Sequence, residues 1–316
     1  MTPQVAVITR TKNRPLLLRR ALLSVSKQSF TDYCHVIVND GGSSNDVKMA
    51  LSVLSQEEAS KVIVITNEAS LGMEAASNIG IRACDSKFIA IHDDDDSWQV
   101  EFLMTTVNYL TSHEGIMGVS TRSYKVIERL SNETVTILFS QEFNSHIDNI
   151  SLFDTLKVNG IPNNSFLYRR CALKTIGMYD ESLPVLGDWE FNLRFLLNFD
   201  IDRIDQKLAN YHHRPHQSGS TGNTIINGIS LHKHHRNKIN NRFLRSDFES
   251  KTWGIGVFVN MNPHLIKNNL TEKIYRVAAL FILKFRSNIF ISTLFKDKHS
   301  KNIQLRFHPK KACDFS

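Results

Sequence analysis

The chain has 316 residues, of which 41% are hydrophobic and 22% are charged, with 14 Gly and 7 Pro. This composition excludes a disordered or collagen-like protein and predicts a globular one, and the length is within reach of a single large α/β unit plus an appendage. Its four cysteines lie far apart, without the short spacings of a zinc site or a disulfide framework, and Met1 leads directly into an apolar strand instead of a signal peptide. We therefore expect a reduced chain in the cytoplasm.

The net charge of +7 is unevenly distributed along the sequence. Residues 211–316 hold 18 Lys and Arg against 5 Asp and Glu, a net +13, whereas residues 1–210 hold 20 against 26, a net −6. A basic tail on an acidic body predicts contact with an anionic surface, either phospholipid or nucleic acid. The plainer interpretation of the same charges is a solvated face.

Strand and helix patterns alternate over the first hundred residues. Short apolar runs predict four strands, and apolar residues at helical spacing predict three helices between them. The predicted strands are 5–9, 35–38, 61–66 and 88–92, and the predicted helices are 15–27, 44–55 and 71–83. Three consecutive β-α units predict a doubly wound, mostly parallel sheet that binds its ligands at the carboxyl ends of the strands.

Beyond Trp98 the pattern is looser. We predict helices at 100–110 and 189–197 and strands within 118–139 and at 164–168. From about residue 225 the chain is helical and basic. Its apolar stretch at 271–295 is interrupted by Lys284 and Arg286, which makes it too short to span a bilayer. That stretch is either an amphipathic helix at a membrane surface or a helix packed on the core.

Four consecutive aspartates, Asp93 to Asp96, follow the predicted strand at 88–92. Adjacent carboxylates repel one another unless a cation compensates them. Hard oxygen ligands of this kind suit Mg²⁺ or Mn²⁺, and such an ion usually completes its shell with substrate phosphates. The alternative interpretation is an acidic solvated loop.

Two further aspartates stand where ligands would be expected. Asp40, followed by Gly41 and Gly42 at a strand end, is either the cap of a turn or an acceptor of hydrogen bonds from a base or sugar. Asp188 stands at the start of a predicted helix, where it is either a helix cap or a general base that accepts a hydroxyl proton.

The order of these pieces resembles the inverting family 2 glycosyltransferases of the GT-A fold, over about residues 3–220. Asp93-Asp94-Asp95-Asp96-Ser97-Trp98 is similar to the family's D-x-D-D-x-W, and Asp188-Trp189-Glu190 to its E-D-W-[DE]. The other matching segments are 9–14 (T-R-T-K-N-R), 39–43 (N-D-G-G-S), 72–80 (G-M-E-A-A-S-N-I-G) and 211–218 (Y-H-H-R-P-H-Q-S).

The resemblance implies a role for each matching residue. Asp188 would be the catalytic base, Asp95 would ligate a Mn²⁺ or Mg²⁺ ion that bridges the donor diphosphate, and Asp40 would contact the nucleotide base, commonly uracil. Asp93 would lie near the ribose, and Asp94 and Asp96 are either supporting ligands or only charge. The remaining residues expected to bind the nucleotide sugar are Thr9, Arg10, Asn13 and Asn78, with His216 and Ser218 on a loop that closes over the diphosphate.

Two positions depart from the family pattern. The carboxylate that usually precedes the base is Gly187 here, and the Arg that usually precedes Asn78 is Ser77. One contact near the base and one near the nucleotide are therefore unaccounted for in the sequence.

These features together predict an α/β GT-A domain at 1–222, with a nucleotide-sugar half at 1–100 and an acceptor half at 101–222, followed by a basic helical region at 223–316. The expected activity is transfer of a sugar from a nucleotide donor, most simply a UDP-sugar, to a hydroxyl of a glycan acceptor that is lipid-linked. The setting implied by the resemblance is bacterial surface-polysaccharide synthesis, such as O-antigen or capsule assembly, in the cytoplasm and peripherally at the inner face of the plasma membrane.

Two alternatives come from other classes of protein. The first is a nucleic-acid-binding protein whose tail tracks phosphate through Arg236, Lys238, Arg242 and Arg245, although nucleic acid is not the favoured partner. The second is a catalytically inactive protein that binds a sugar nucleotide, which the absence of a carboxylate at Gly187 permits.

Overall fold

A computed structural model describes residues 2–131, 134–215, 217, 219–222, 228–251 and 254–256. The described residues divide into two compact units, 2–239 and 240–256. The fold and the site below belong to the first unit. The stretch at 271–295 lies outside the described residues, as do His216 and Ser218.

The first half of the chain alternates strands and helices, as the apolar pattern predicts. Its elements are β1 (Val5–Thr11), α1 (Pro15–Ser26), β2 (Tyr33–Asp40), α2 (Ser44–Leu51), α3 (Gln56–Ser60), β3 (Val62–Asn67), α4 (Met73–Ala83) and β4 (Phe88–Ile91). The single helix expected at 44–55 is two helices, because Ser55 caps α3: its hydroxyl accepts a hydrogen bond from the Glu58 backbone N–H, and its own backbone N–H donates to the Glu58 carboxylate.

The second half is less regular. Its elements are β5 (Ser97–Trp98), α5 (Phe102–Ser112), β6 (Gly118–Leu130), β7 (Val135–Glu142), α6 (Leu152–Lys157), β8 (Phe166–Arg169), α7 (Leu173–Ile176), α8 (Gly187–Leu196), β9 (Ile201–His213) and α9 (Ile229–Glu249). The helices expected near 100–110 and 189–197 and the strands expected within 118–139 and at 164–168 are confirmed. The sequence did not predict α6 or the long strand β9.

One sheet of nine strands runs through the unit in the order β3-β2-β1-β4-β8-β6-β9-β5, with β7 paired to β6. Strands β3, β2, β1 and β4 are parallel, and β6 is parallel to β9. Strand β8 joins these two groups by antiparallel pairing with both β4 and β6. The predicted α/β class with a mostly parallel sheet and a C-terminal helix is confirmed.

Burial on both faces explains the sheet's apolar strands. Every residue of β2 and β4 is buried, and α1 covers one face with Leu17, Leu18 and Leu22. A parallel sheet covered by helices on both sides needs such continuous apolar runs. The chain leaves β1 at Thr11 and β2 at Asp40, and the aspartate cluster follows β4, so that the polar residues gather at one edge of the sheet.

The C-terminal helix α9 belongs to the first unit over residues 229–239. No helix in the part of the chain that the structure describes is long and apolar enough to cross a membrane.

Candidate active site

A cavity of about 510 Å³ opens at the carboxyl ends of the parallel strands. Most of the residues that the sequence nominates for binding or catalysis line it. They are Arg10, Asn13, Asp40, Asp93, Asp94, Asp95 and Asp188. Residues from β1, β2, the segment after β4 and α8 thus meet at one place, although Arg10 and Asp188 are 178 positions apart in sequence.

Asp40, the last residue of β2, accepts four hydrogen bonds. Its carboxylate receives the amide of Asn67 at 2.9 Å, the hydroxyl of Ser70 at 2.7 Å, and the backbone N–H groups of Leu71 at 2.8 Å and Gly72 at 3.0 Å. Burial opposes the charged form, but these donors together lower the pKa of Asp40 below its usual value. Asp40 is thereby a fixed anion at the wall of the cavity, and it also fixes the turn before α4.

Arginines hold the first half of the aspartate cluster. Arg10 donates from Nε to Asp93 Oδ1 at 2.9 Å. Asp94, which is 3% exposed, accepts from Thr11 Oγ1 at 2.7 Å and from Arg14 at 3.1 Å. Cations from β1 and the loop after it therefore compensate these adjacent carboxylates, which excludes the interpretation of the cluster as a solvated acidic loop.

Asp95 and Asp96 bind the second half of the domain. Asp95 pairs with Arg214, which is fully buried, and lies 3.7 Å from Arg14. Although burial opposes it, the charges of Arg214 and Arg14 lower the pKa of Asp95. Asp96 accepts the backbone N–H of His212 at 2.9 Å, and its burial beside Asp95 raises its pKa well above the usual value.

Carboxylates of this kind fit a hard divalent cation by their chemistry. Among the described residues no three His, Cys, Asp or Glu side chains converge on a ready-made metal site. An ion that takes only one or two protein carboxylates and completes its shell with diphosphate oxygens does not need such a cluster. Asp95 lines the cavity with its side chain 14% exposed, so it is suited to supply that one carboxylate.

Asp188 stands in the first turn of α8 and faces the same cavity. Its Oδ2 accepts a hydrogen bond from Asn159 Nδ2 at 2.8 Å. Burial has the largest effect on the pKa of Asp188 and raises it above the usual value. The hydrogen bond from the Trp189 backbone N–H and the charge of Arg10 act in the opposite direction. A carboxylate with a raised pKa is a stronger base, as proton abstraction from a hydroxyl requires.

The backbone before Asp188 is held in an uncommon conformation. Leu186 adopts φ +66° and ψ 15°, in the left-handed region that residues other than Gly and Asn rarely adopt. Such a conformation costs about 1 kcal/mol or more and persists only where the surrounding structure enforces it. Here it starts α8 directly at the wall of the cavity, which fixes the position of Asp188.

The structure fills both places where the sequence departs from the family pattern. The hydroxyl of Ser77, on α4, accepts a hydrogen bond from Arg10 of β1 at 2.8 Å. A guanidinium group therefore lies beside position 77, although it comes from β1 and not from α4. A Cβ atom built on Gly187 would lie 2.2 Å from Cδ of Glu74, so the Glu74 carboxyl occupies the space next to Gly187.

Two residues expected at the nucleotide do not line the cavity. Thr9 is fully buried and its hydroxyl lies 2.9 Å from His35 Nε2. Asn78, 2% exposed, donates to the Tyr179 carbonyl at 2.8 Å and to Glu181 at 2.8 Å, which ties α4 to the segment before α8. Both contacts are structural, so their nucleotide roles stay predictions.

Sequence reasoning missed four residues that hold the site together, namely Arg14, Glu74, Asn159 and Arg214. Three of them stand inside the matched segments, at 9–14, 72–80 and 211–218, where their charge is the sequence signal that marks them. Asn159 lies outside every matched segment, and no sequence signal marks it.

Comparison with known proteins finds glycosyltransferases among the relatives of this chain. A curated relative, the uncharacterized glycosyltransferase YwdF of Bacillus subtilis, is 25% identical over 210 residues, which is 64% of this chain and 71% of YwdF. The GalNAc(5)-diNAcBac-PP-undecaprenol beta-1,3-glucosyltransferase of Campylobacter jejuni is 31% identical over 94 residues, 30% of each chain.

Among solved structures, S. aureus TarS 1–349 in complex with UDP-GlcNAc superposes with a TM-score of 0.50 at 18% identity. The match covers 69% of this chain and 60% of that one, and it shows a shared fold. The family model "Glycosyl transferase family 2" matches residues 6–177, more than half of the sequence. The chain therefore belongs to glycosyl transferase family 2.

Proposed function

We propose that this protein transfers a sugar from a nucleotide donor, a UDP-sugar, to a hydroxyl group of a glycan acceptor with inversion at the anomeric carbon. The observation that carries the proposal is the position of Asp188. Its carboxyl group lines the same cavity as a cluster of aspartates and arginines, and its raised pKa favours proton abstraction.

In the proposed reaction Asp188 accepts the proton of the acceptor hydroxyl. The acceptor oxygen then forms a bond to the anomeric carbon while the bond from that carbon to the diphosphate oxygen breaks on the opposite face. The electron pair leaves with the nucleoside diphosphate. A single carboxylate base suffices for such a displacement, unlike the pair used in glycoside hydrolysis. Asn159, which donates to Asp188 Oδ2, orients the base.

Charge develops on the leaving diphosphate, and the chain carries groups to meet it. A divalent ion, Mn²⁺ or Mg²⁺, held by Asp95 would neutralise this charge as a Lewis acid. Arg14 and Arg214, which both lie beside Asp95, add positive charge at the same end of the cavity. Asp40 and the residues of the N-D-G-G turn form the wall where we place the nucleotide base.

A lipid-linked acceptor, used in bacterial surface-polysaccharide synthesis at the inner face of the plasma membrane, completes the proposal. The name of the Campylobacter relative specifies an undecaprenol-linked substrate, and the C-terminal third of the present chain carries a net charge of +13. We propose no nucleic-acid partner. Arg236, one of the basic residues considered for phosphate contact, instead lies 4.5 Å from the Trp189 ring and donates to two backbone carbonyl groups of α6.

Calorimetric titration of UDP into the protein tests the donor site. We expect binding that requires Mn²⁺, is lost with chelator and is lost in Asp95→Asn. Binding of UDP that is equal with Mn²⁺ and with chelator would contradict the role of Asp95. Absence of binding for UDP, GDP, CMP and dTDP alike would contradict the donor site itself.

A further inference from the structure

Helix α9 contributes the side chain of His232 to the wall of the candidate active-site cavity. Over residues 229–239 the buried or partly buried positions of this helix follow the spacing i, i+3, i+4 and i+7, which is one helix face. These positions are His232, His235, Arg236 and Ile239. This face therefore packs on the domain, and the proposed reaction leaves its cavity residue, His232, without a role.

Contacts one turn further along α9 fix where His232 lies. Arg236 donates to two backbone carbonyl groups of α6 and lies 4.5 Å from the ring of Trp189, which directly follows Asp188. Burial raises the pKa of Asp188, and a charge on the His232 ring acts in the opposite direction, so the two side chains lie within electrostatic reach of each other. His232 therefore stands at the end of the cavity where the proposed base meets the acceptor.

The two ring nitrogens of His232 have different surroundings. Nδ1 lies 2.9 Å from the carbonyl oxygen of Gly228, and because that oxygen can only accept, Nδ1 carries the hydrogen atom. Within the part of the chain that the structure describes, Nε2 has no hydrogen-bond partner. In the neutral imidazole Nε2 is then a hydrogen-bond acceptor, and a hydroxyl group of a ligand is a suitable donor to it.

Other side chains at the cavity suit a sugar. Phe143, which follows β7, and Tyr211, on β9, line the cavity and pack edge to face with their ring centroids 5.5 Å apart. Burial, followed by the charges of Asp96 and Asp188, raises the pKa of Tyr211 well above its usual value, so its hydroxyl stays protonated and does not compete for the acceptor proton. Aromatic surface beside a few hydrogen-bonding groups is typical of a small-molecule site.

We propose that His232 is an acceptor-binding residue: its Nε2 accepts a hydrogen bond from a hydroxyl of the acceptor sugar that neighbours the hydroxyl deprotonated by Asp188. The acceptor is therefore a sugar with a free hydroxyl next to the attacking one. This inference rests on the proposed function, since it takes Asp188 as the base. It assigns no proton transfer to His232.

Steady-state UDP release in the presence of glycosides tests the proposal. The donors are UDP-glucose and UDP-GlcNAc, and the acceptors are the octyl β-glycosides of glucose, galactose, N-acetylglucosamine and N-acetylgalactosamine. We expect His232→Ala to lower kcat/KM for the glycoside about tenfold, the effect of one lost hydrogen bond to the substrate. KM for the donor and the Kd of UDP should stay at their wild-type values.

Two further substitutions separate the roles of the ring nitrogens. The amide of His232→Asn reaches the place of Nδ1 and can keep the hydrogen bond to Gly228, whereas the amide of His232→Gln reaches the place of Nε2. We expect His232→Asn to lose as much kcat/KM for the glycoside as His232→Ala, and His232→Gln to stay within about threefold of wild type. The reverse order, or an unchanged kcat/KM in His232→Ala, would overturn the proposal.

His234→Ala is the matched control, because His234 is exposed on the same helix and the substitution removes the same side chain. Its kcat/KM for the glycoside should equal that of wild type. Failure of the proposed function has a different signature. A wild-type protein whose UDP release no glycoside accelerates would contradict transfer to a sugar, and normal turnover in Asp188→Asn would show that Asp188 is not the base.

Discussion

Glu128 is a buried carboxylate that binds three basic side chains near the aspartate cluster. Its side chain, which is fully buried, accepts from Arg20 at 2.6 Å, from Arg214 at 2.8 Å and lies 2.7 Å from His212 Nδ1. Burial opposes ionisation, but the hydrogen bond with His212 and the charge of Arg20 lower its pKa to about 2. Arg214 in turn pairs with Asp95, so Glu128 is linked through Arg214 to the residue that we propose as the metal ligand.

Glu128→Gln is predicted to destabilise the protein by about 3 kcal/mol at pH 7, because a pKa of about 2 in the folded state against an ordinary 4.5 is worth that much. A carboxyl with a lowered folded pKa stabilises the protein fully above about pH 4.5, and this contribution is lost as the pH falls towards 2. The difference in the free energy of unfolding between wild type and Glu128→Gln should therefore be constant from pH 7 to 5 and become smaller below pH 5.

Urea unfolding at pH 7, 5, 4 and 3 measures this difference. The exposed Glu57, on α3, provides the control, since Glu57→Gln makes the same chemical change without a buried partner. A free energy of unfolding within about 0.5 kcal/mol of wild type at pH 7 would show that the buried arginines do not depend on Glu128.

Among the elements, α9 contacts both α6 and α8 through the side chain of Arg236. Arg236 donates to the carbonyl groups of Leu156 at 2.9 Å and Lys157 at 2.6 Å, which are the last residues of α6. Its guanidinium also lies 4.5 Å from the ring of Trp189, the residue after Asp188. Residues 229–239 of α9 are therefore part of the first unit and support α8.

Arg236→Ala is expected to lower the free energy of unfolding by about 2 kcal/mol, since it removes two charge-assisted hydrogen bonds and a cation–π contact. Lys238 is exposed on the same helix, and Lys238→Ala removes the same charge. This control should change the free energy of unfolding by less than about 0.5 kcal/mol. Chemical denaturation of the two variants decides the matter, and equal losses would mean that α9 stabilises the domain through charge alone.

The elements differ in how far the sequence predicts them. β1, β2 and β4 are buried along almost their whole length, so their apolar runs are visible locally. Strand β9, Ile201–His213, carries charged residues at alternating and adjacent positions, and its burial comes from pairing with β6, which no local pattern shows. The site follows the same rule. The aspartates after β4 are a local cluster, whereas the partners Arg214 and Glu74 reach Asp95 and Gly187 only through the fold.

For the molecule as a whole, the proposed location at a membrane surface depends on the distribution of charge along the chain. A net charge of +13 on residues 211–316 beside −6 on residues 1–210 predicts electrostatic attraction of the C-terminal third to anionic lipid. The full chain should sediment with vesicles that contain anionic phospholipid, and sedimentation should weaken as salt rises. Equal partitioning onto anionic and neutral vesicles would contradict a peripheral location at the membrane.

Release of UDP by Asp188→Asn shows whether a carboxylate at this position acts as the base. Wild type and variant are compared with the same panel of UDP-sugars and a polyprenyl-diphosphate-linked acceptor, with UDP binding measured in parallel by calorimetry. We predict that the variant binds UDP with unchanged affinity and loses turnover by at least about a hundredfold, because it lacks the base. Turnover near the wild-type rate with intact binding would contradict the role of Asp188 and the mechanism built on it.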